Sequence, residues 1–234
     1  MIEEILKQQT VQTMVHDMRA PMTVLKGNLL LLLSGVMGEM SSDQRLLLRR
    51  SMGPLEDLIQ MTETILQAVS LDKDDLHLQP VKTDLDELLS ELVDFYQVPF
   101  KQRQMQLYRD GNSFGAKLLV DPFWTKRVLH NLVWNAYKFT PDKGKVVLHV
   151  RHAESGAIEL TVDDTGRGIP ADRLQNIFEK FSQVSPASDR RLGNGLGLWI
   201  CKRVMELHEG SIRVASVVGQ GSQFVLQFPA KRIV

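Results

Sequence analysis

Apolar residues in the first part of the chain recur at Val11, Val15, Met18, Met22, Leu25, Leu29 and Leu32. The gaps alternate between four and three, the repeat of a helix that packs along a seam. Ser34, Gly35 and Gly38 interrupt the pattern, and Ser41-Ser42-Asp43 offers N-capping side chains to a second helix. That helix carries Leu48, Leu55, Leu58, Ile65 and Val69 near the same spacing. Ser51 and Thr62 weaken its seam, and Pro54 is a point of bending. Two long helices with a short connection predict an antiparallel hairpin. Leu30, Leu31 and Leu33 lie off the seam and add apolar surface that one hairpin cannot cover. The pattern therefore predicts a symmetric pair of hairpins in a dimeric four-helix bundle. Docking of the chain's own second domain is the alternative.

Beyond residue 70 the pattern changes. Residues 71–80 are polar and charged, with Asp72, Asp74 and Asp75, and read as a linker. Residues 84–101 form an amphipathic helix through Leu85, Leu88, Leu89, Leu92 and Phe95. Residues 122–138 form another, with Asp121 as N-cap and Pro122 at its first position. Residues 146–150 and 158–163 alternate as strands around a turn at Ser155-Gly156. A further helix covers 196–207, and strands at 212–217 and 224–228 join through Gly219-Gln220-Gly221. Helices interspersed with hairpin-linked strands predict a two-layer α/β sandwich, its helices on one face of a mixed sheet. The expected division is 1–70, a linker at 71–80, and 81–234.

Composition narrows the setting. The chain has 234 residues, 43% of them hydrophobic, enough for a substantial core. Its formal net charge is zero, so no global field favours nucleic acid or an anionic membrane. Residues 29–33 are five consecutive leucines, far short of the roughly 20 apolar residues a span needs. The amino end, with Glu3 and Glu4, does not look like a signal peptide. The single cysteine, Cys201, sits in an apolar-periodic segment and reads as a packed thiol in a reducing compartment. A cytosolic location is expected, which leaves open a membrane-anchored parent.

Three stretches carry candidate chemistry. Asn131, Asn135 and Lys138 are spaced by four and three, so they share one helix face. A side-chain amide oxygen suits a Mg²⁺ ion that already carries phosphates and water, and a lysine one turn on neutralises phosphate. Taken alone, the same three residues also make an ordinary solvated face. Asp164-Thr165-Gly166-Arg167-Gly168 follows a strand; its carboxylate can accept a hydrogen from an exocyclic amine, and its glycines let a flat base approach. Gly193-Asn194-Gly195-Leu196-Gly197-Leu198 opens a helix, where backbone N–H groups and the helix dipole favour phosphate. It lacks the spacing of a dinucleotide fingerprint and the Gly-Lys-Ser/Thr of a P-loop. The polar stretch ahead of it, 182–191, has the composition of a lid, with Arg190 and Arg191 in reach of phosphate or simply solvated.

In this order, with Phe178-Glu-Lys-Phe181 between the last two, these motifs resemble the ATP-binding domain shared by sensor histidine kinases, DNA gyrase and related chaperones. His16-Asp17-Met18-Arg19-Ala20-Pro21 looks like the phosphoacceptor motif of the two-component sensor kinases. The resemblance covers nearly the whole chain. It implies that ATP and Mg²⁺ are the cofactors, that His16 accepts the phosphoryl group and that Asp17 is its acidic partner. It implies that Asn135 ligates Mg²⁺ and that Asn131 and Lys138 lie beside the phosphates. Asp164 would read adenine, Gly166 and Gly168 would shape its pocket, and Gly193, Gly195 and Gly197, with Leu198, would form the second loop. A homodimer that passes phosphate to a response regulator receiver domain is the implied assembly, with no nucleic-acid or membrane contact by this fragment.

Two departures from the family pattern matter. Position 20 is Ala, where members active as phosphatases carry Thr or Asn to orient a water, so weak phosphatase activity is expected. Gln183 follows the Phe motif where many members have a basic residue. Two other classes stay open at this point. A nucleotide-binding scaffold would signal by hetero-association, and an ATP-driven clamp of the gyrase class would need transducer domains.

Overall fold

The computed structural model describes residues 2–71, 77–111, 115–183 and 195–234; the side chains of residues 2–12, His16 and Asp57 lie outside that description. The chain divides into two compact units, Met1–Leu76 and His77–Val234.

The first unit is a hairpin of α1 (Ile2–Ser34) and α2 (Ser42–Leu71). Gly35 and Gly38, both at positive φ, turn the chain after α1. Ser41 then caps α2 reciprocally: its hydroxyl accepts from the Gln44 amide at 3.2 Å, and Gln44 Oε1 accepts from the Ser41 amide at 2.9 Å. Pro21 and Pro54 sit inside α1 and α2, and both helices continue through them.

The single apolar seam read along α1 divides in two. The covered row is Val15, Arg19, Met22, Lys26, Leu29 and Leu33, and Lys26 pairs with Glu56 of α2 at 3.0 Å. Met14, Met18, Leu25 and Leu32 are exposed, as are Leu47, Leu58 and Met61 on α2. Each exposed row is offset by about a quarter-turn in the same sense from the covered row of its helix. In an antiparallel pair, equal offsets bring both rows to one side of the hairpin. Position 16 falls on the opposite flank of α1, about half a turn from Leu25.

The second unit begins with β1 (Val81–Asp84) and α3 (Leu85–Gln102), followed by β2 (Gln106–Asp110), β3 (Lys117–Val120) and α4 (Pro122–Phe139). After them come β4 (Lys145–His152), β5 (Ile158–Asp164), α5 (Gly197–Leu207), β6 (Ser211–Val217) and β7 (Gly221–Phe228). Among the described residues, five strands form a sheet in the order β2-β4-β5-β7-β6, and β1 pairs with β3 apart from it. Only β2–β4 is parallel in the larger sheet, which is therefore mixed as expected. Val146, Leu148, Ile158, Leu160, Val162, Phe224, Leu226 and Phe228 line its covered face and are buried against the helices. The other face is mostly polar, with Val147 and Val225 buried in it. There Glu159 is buried between Arg151 (2.6 Å) from the adjacent strand β4 and Arg213 (2.7 Å) from β6, which lies beyond β7.

Three strands escaped the sequence reading: β1, β2 and β3. Each has only four or five residues and carries charges such as Lys82, Arg109 and Lys117, so alternation over so short a run is not diagnostic. One expected core residue is corrected as well. Phe95 is exposed, and Tyr96 and Phe100 fill the core on that part of α3.

Candidate nucleotide site

The site is built on α4. Asp121 starts the helix, its Oδ1 accepting from the Phe123 (3.0 Å) and Trp124 (3.2 Å) amides, and Pro122 follows at the first position. Trp124, Val128, Leu129, Leu132, Val133 and Ala136 are buried. That burial fixes the rotation of the helix and leaves Asn131, Asn135 and Lys138 half-covered on the adjoining face. Asn131 Nδ2 donates to the carbonyl oxygen of Gly197 at 3.4 Å. Two motifs read separately in the sequence thus meet where α5 begins.

Asp164, the last residue of β5, is buried. Burial pushes its carboxyl up to about 6, opposed by hydrogen bonds from the Gly166 and Ser222 backbone. The Gly166 amide donates to Asp164 Oδ1 at 2.8 Å. A Cβ on Gly166 would lie 2.5 Å from that oxygen and 2.9 Å from the carbonyl oxygen of Phe139, the last residue of α4. The Asp-x-Gly turn therefore abuts the end of the Asn helix. Gly168 has φ +71°, and a Cβ there would stand 2.1 Å from the Val217 carbonyl oxygen. The turn is stitched down by Gly219 N–H to Arg167 O (2.8 Å) and Ile169 N–H to Ser216 Oγ (2.8 Å).

The second glycine loop is described only from residue 195; Gly193, with Arg190 and Arg191, lies outside the described residues. Gly195 has φ +69° and packs on the end of the Phe motif, where a Cβ would be 2.5 Å from the Phe181 carbonyl carbon. Gly197 and half-buried Leu198 open α5, where among the described residues no side chain caps the N-terminus. An uncapped first turn offers amide donors and the positive end of the dipole to an anion. In the same helix Cys201 is fully buried, and burial pushes its thiol up to about 12, as a packed cysteine requires.

The fit to a nucleotide rests on this donor set: a buried carboxylate acceptor, glycine-shaped walls that a Cβ would fill, an uncapped helix start, and amide oxygens on one face. Among the described residues no group of three or more His, Cys, Asp or Glu is arranged to hold a metal ion. Asn135, half-covered beside the others, is the residue whose chemistry fits Mg²⁺ carried in with phosphates. His16 and Asp17 belong to the hairpin unit; Asp17 is exposed.

What sequence reasoning missed are backbone partners: Phe139 O, Val217 O and Phe181 C, which make the glycines obligatory. No residue identity signals them. It also gave no role to His208, which is completely buried. Its Nδ1 donates to Val204 O (2.9 Å), and its Nε2 accepts from the Asp121 amide (2.9 Å). Burial lowers its pKa, consistent with a neutral ring making both bonds.

Comparison with known proteins agrees with this geometry. Residues 120–232 match the family of histidine kinase-, DNA gyrase B- and HSP90-like ATPases. Fold and site together thus define an ATPase-type α/β domain carried behind a helical hairpin. The chain is 30% identical over 228 residues to the adaptive-response sensory kinase SasA of Synechococcus sp. (strain JA-3-3Ab), covering 97% of this chain and 60% of that one. It is 32% identical over 225 residues to the sensor histidine kinase RcsC of Escherichia coli (strain K12), covering 95% of this chain and 23% of that one. Among solved structures, full-length ShkA in complex with AMPPNP matches with a TM-score of 0.72 at 25% identity, covering 94% of this chain and 45% of that chain. Over nearly its whole length the chain is similar to sensor histidine kinases. It spans 60% or less of the length of these relatives. No described helix is long and apolar enough to cross a membrane.

Proposed function

We propose that this chain uses ATP and Mg²⁺ to phosphorylate His16 and passes the phosphoryl group to an aspartate of a response regulator receiver domain. The observation that carries the reading is the meeting of Asn131 with Gly197, in a unit whose Asp164–Gly166 turn abuts the end of the same helix. In this reading Asp164 accepts the adenine amino hydrogen, and Gly166 and Gly168 keep the base pocket open. The first turn of α5, with Gly193, Gly195, Gly197 and Leu198, lies along the phosphates, as do Asn131 and Lys138. Asn135 holds Mg²⁺, which would offset phosphate charge.

Asp17 keeps the proton on one imidazole nitrogen of His16 and leaves the other nucleophilic. That nitrogen attacks the γ-phosphorus, the bond to the bridging oxygen breaks, and ADP leaves. The resulting P–N bond is labile and suits onward transfer. The functional domains are the phosphoacceptor hairpin at 1–70, a linker at 71–80 and the catalytic domain at 81–234. Exposed Met18, Leu25, Leu58 and Met61 support pairing of two hairpins into a four-helix bundle. Position 16, on the opposite flank of α1, then stays clear of the pairing face.

One experiment separates this reading from its rivals: incubation with γ-labelled ATP and Mg²⁺. Acid-labile, base-stable label that disappears in His16→Ala is the expected result. Absence of label on the native chain supports a nucleotide-binding scaffold, and turnover of ATP without label supports a clamp. Ala20 offers no hydrogen bond to a water, so a phosphorylated receiver is expected to lose phosphate no faster with the chain than without it.

A further inference from the structure

Asp121 has more to do than start a helix. Its Oδ1 caps α4, while its Oδ2 accepts from the backbone amide of Gln79 at 2.9 Å. Its own amide donates to Nε2 of buried His208, the residue after α5. Three pieces of chain meet at this one residue: the start of the α/β unit, where it emerges from the linker, the N-terminus of α4, and the C-terminus of α5. Its other hydrogen bonds hold it in place, since Asp121 O also accepts from the Thr125 amide (2.9 Å) and from Thr125 Oγ1 (2.7 Å).

Along the antiparallel α4–α5 pair two hydrogen-bonded pins mark the ends, and between them Cys201 Sγ donates to Val128 O at 3.7 Å. One is Asp121–His208; the other is Asn131–Gly197, at the proposed phosphate end. Ten residues of helix separate Asp121 from Asn131, about 15 Å at 1.5 Å per residue. A nucleotide lying across the second pin limits sliding or splaying of the two helices. The first pin, and the Gln79 amide held by the carboxylate of the same residue, sense that restriction because packed helices transmit displacement with little compliance.

We propose that Asp121 is a positioning residue that couples nucleotide occupancy to anchorage of the linker at Gln79. The proposal rests on the reading that α4 and the start of α5 hold the nucleotide. When the Gln79 bond is made, the tether to the hairpin ends at residue 79. When it is broken, the tether lengthens toward β1, by roughly 3.3–3.6 Å per freed residue. Nucleotide thereby sets how far the catalytic unit can range from its own hairpin.

Coupling is reciprocal, which makes the test quantitative. Exchange of the Gln79 amide is measured on the full 234-residue chain by NMR, with and without ADP and Mg²⁺. Nucleotide is expected to slow exchange at least five-fold. Asp121→Asn keeps a good N-cap acceptor but replaces the oxygen that takes the Gln79 amide. Gln79→Pro removes the amide itself. Both variants are expected to weaken ADP binding by the same factor by which ADP slowed exchange, with thermal midpoints near the native value. Gln79→Pro keeps the test decisive should Asp121→Asn fold poorly. Exchange at Gln79 that ignores ADP, or ADP affinity unchanged in the variants, overturns the coupling. Failure of the native chain to bind ADP at all overturns the nucleotide reading beneath it as well. ADP binding without label on His16 sinks the kinase reading and leaves the coupling standing.

Discussion

The hairpin and the α/β unit solve the problem of burying apolar side chains in different ways. The α/β unit closes its core within one chain: Leu89, Val128, Leu132, Ile158, Val162, Ile200 and Leu226 are essentially inaccessible to solvent. The hairpin does not. Its covered row includes Arg19 and Lys26, while Met18, Leu25, Leu47 and Leu58 face outward. Two helices have one mutual contact line, so the hairpin by itself leaves a second apolar row uncovered, whereas a sheet and three helices enclose a volume. The difference also separates roles. In the proposed reading the enclosed unit holds the nucleotide, and the hairpin carries the phosphoacceptor and the pairing face.

The sharpest way to break this contrast is to charge the outward row. Leu25→Glu with Leu58→Glu is expected to convert a dimer into a monomer at micromolar concentration in sedimentation experiments. The unfolding transition of the α/β unit should stay in place. A dimer that survives both charges would mean the outward row is not the pairing face.

Gly168→Ala tests the enclosed unit. It adds a Cβ at positive φ against Val217 O, where backbone strain alone costs about 1–3 kcal/mol. Nucleotide affinity should fall at least ten-fold, and the α/β transition should move down, while the hairpin's helicity and association do not change. Titration calorimetry and two-probe thermal melts would read the two units separately.

Acidity should act on the enclosed unit through Asp164. Its carboxyl, pushed up to about 6 by burial, gains a proton as pH falls through that value and becomes a weaker acceptor for an amino hydrogen. ADP affinity is expected to fall several-fold between pH 7 and pH 5, and this slope should vanish in Asp164→Asn. An unchanged slope in that variant would place the titration elsewhere.

His208 gives the smallest effect. Its folded pKa lies below the unfolded value of about 6.5, so the unfolded chain binds the extra proton in between. Stability is full above about 6.5 and is lost as pH falls below it, by at most about 1.4 kcal/mol per pH unit for one group. Asp164 works in the opposite sense, because its raised pKa favours the folded state at low pH. The slope is therefore best measured by denaturant titration in Asp164→Asn and compared with the same variant carrying His208→Gln, because burial also lowers the pKa of His130, which adds a loss in the same direction. Equal slopes in the two from pH 7 to pH 5.5 would contradict a buried neutral His208.

Much of the fold was readable in advance because its long elements carry strong period. The hairpin helices, α4 with its Asp121-Pro122 start, and β4 through β7 all follow from spacing and caps. The short strands β1 to β3 did not, since four or five residues cannot establish a period. The nucleotide motifs were visible as residue types in a particular order, yet nothing in that order says that Asn131 reaches Gly197. Phe95 shows the converse failure: an apolar residue at the right spacing that the helix rotation leaves in solvent, T-shaped against His130 at 5.1 Å between ring centroids.

Order along the chain, then, was enough for the two kinds of unit and the places where helices start. These depend on local periodicity, capping and side-chain chemistry, all of which act over a few residues. Tertiary structure alone decided which half of the α1 seam is covered and why Gly166 and Gly168 admit no side chain. It also decided that His208 bridges the end of α5 and Asp121. The first depends on packing against α2, and the other two on a backbone atom brought close from a distant part of the chain. Such an atom is chemically the same at every residue, so it leaves no mark on the sequence.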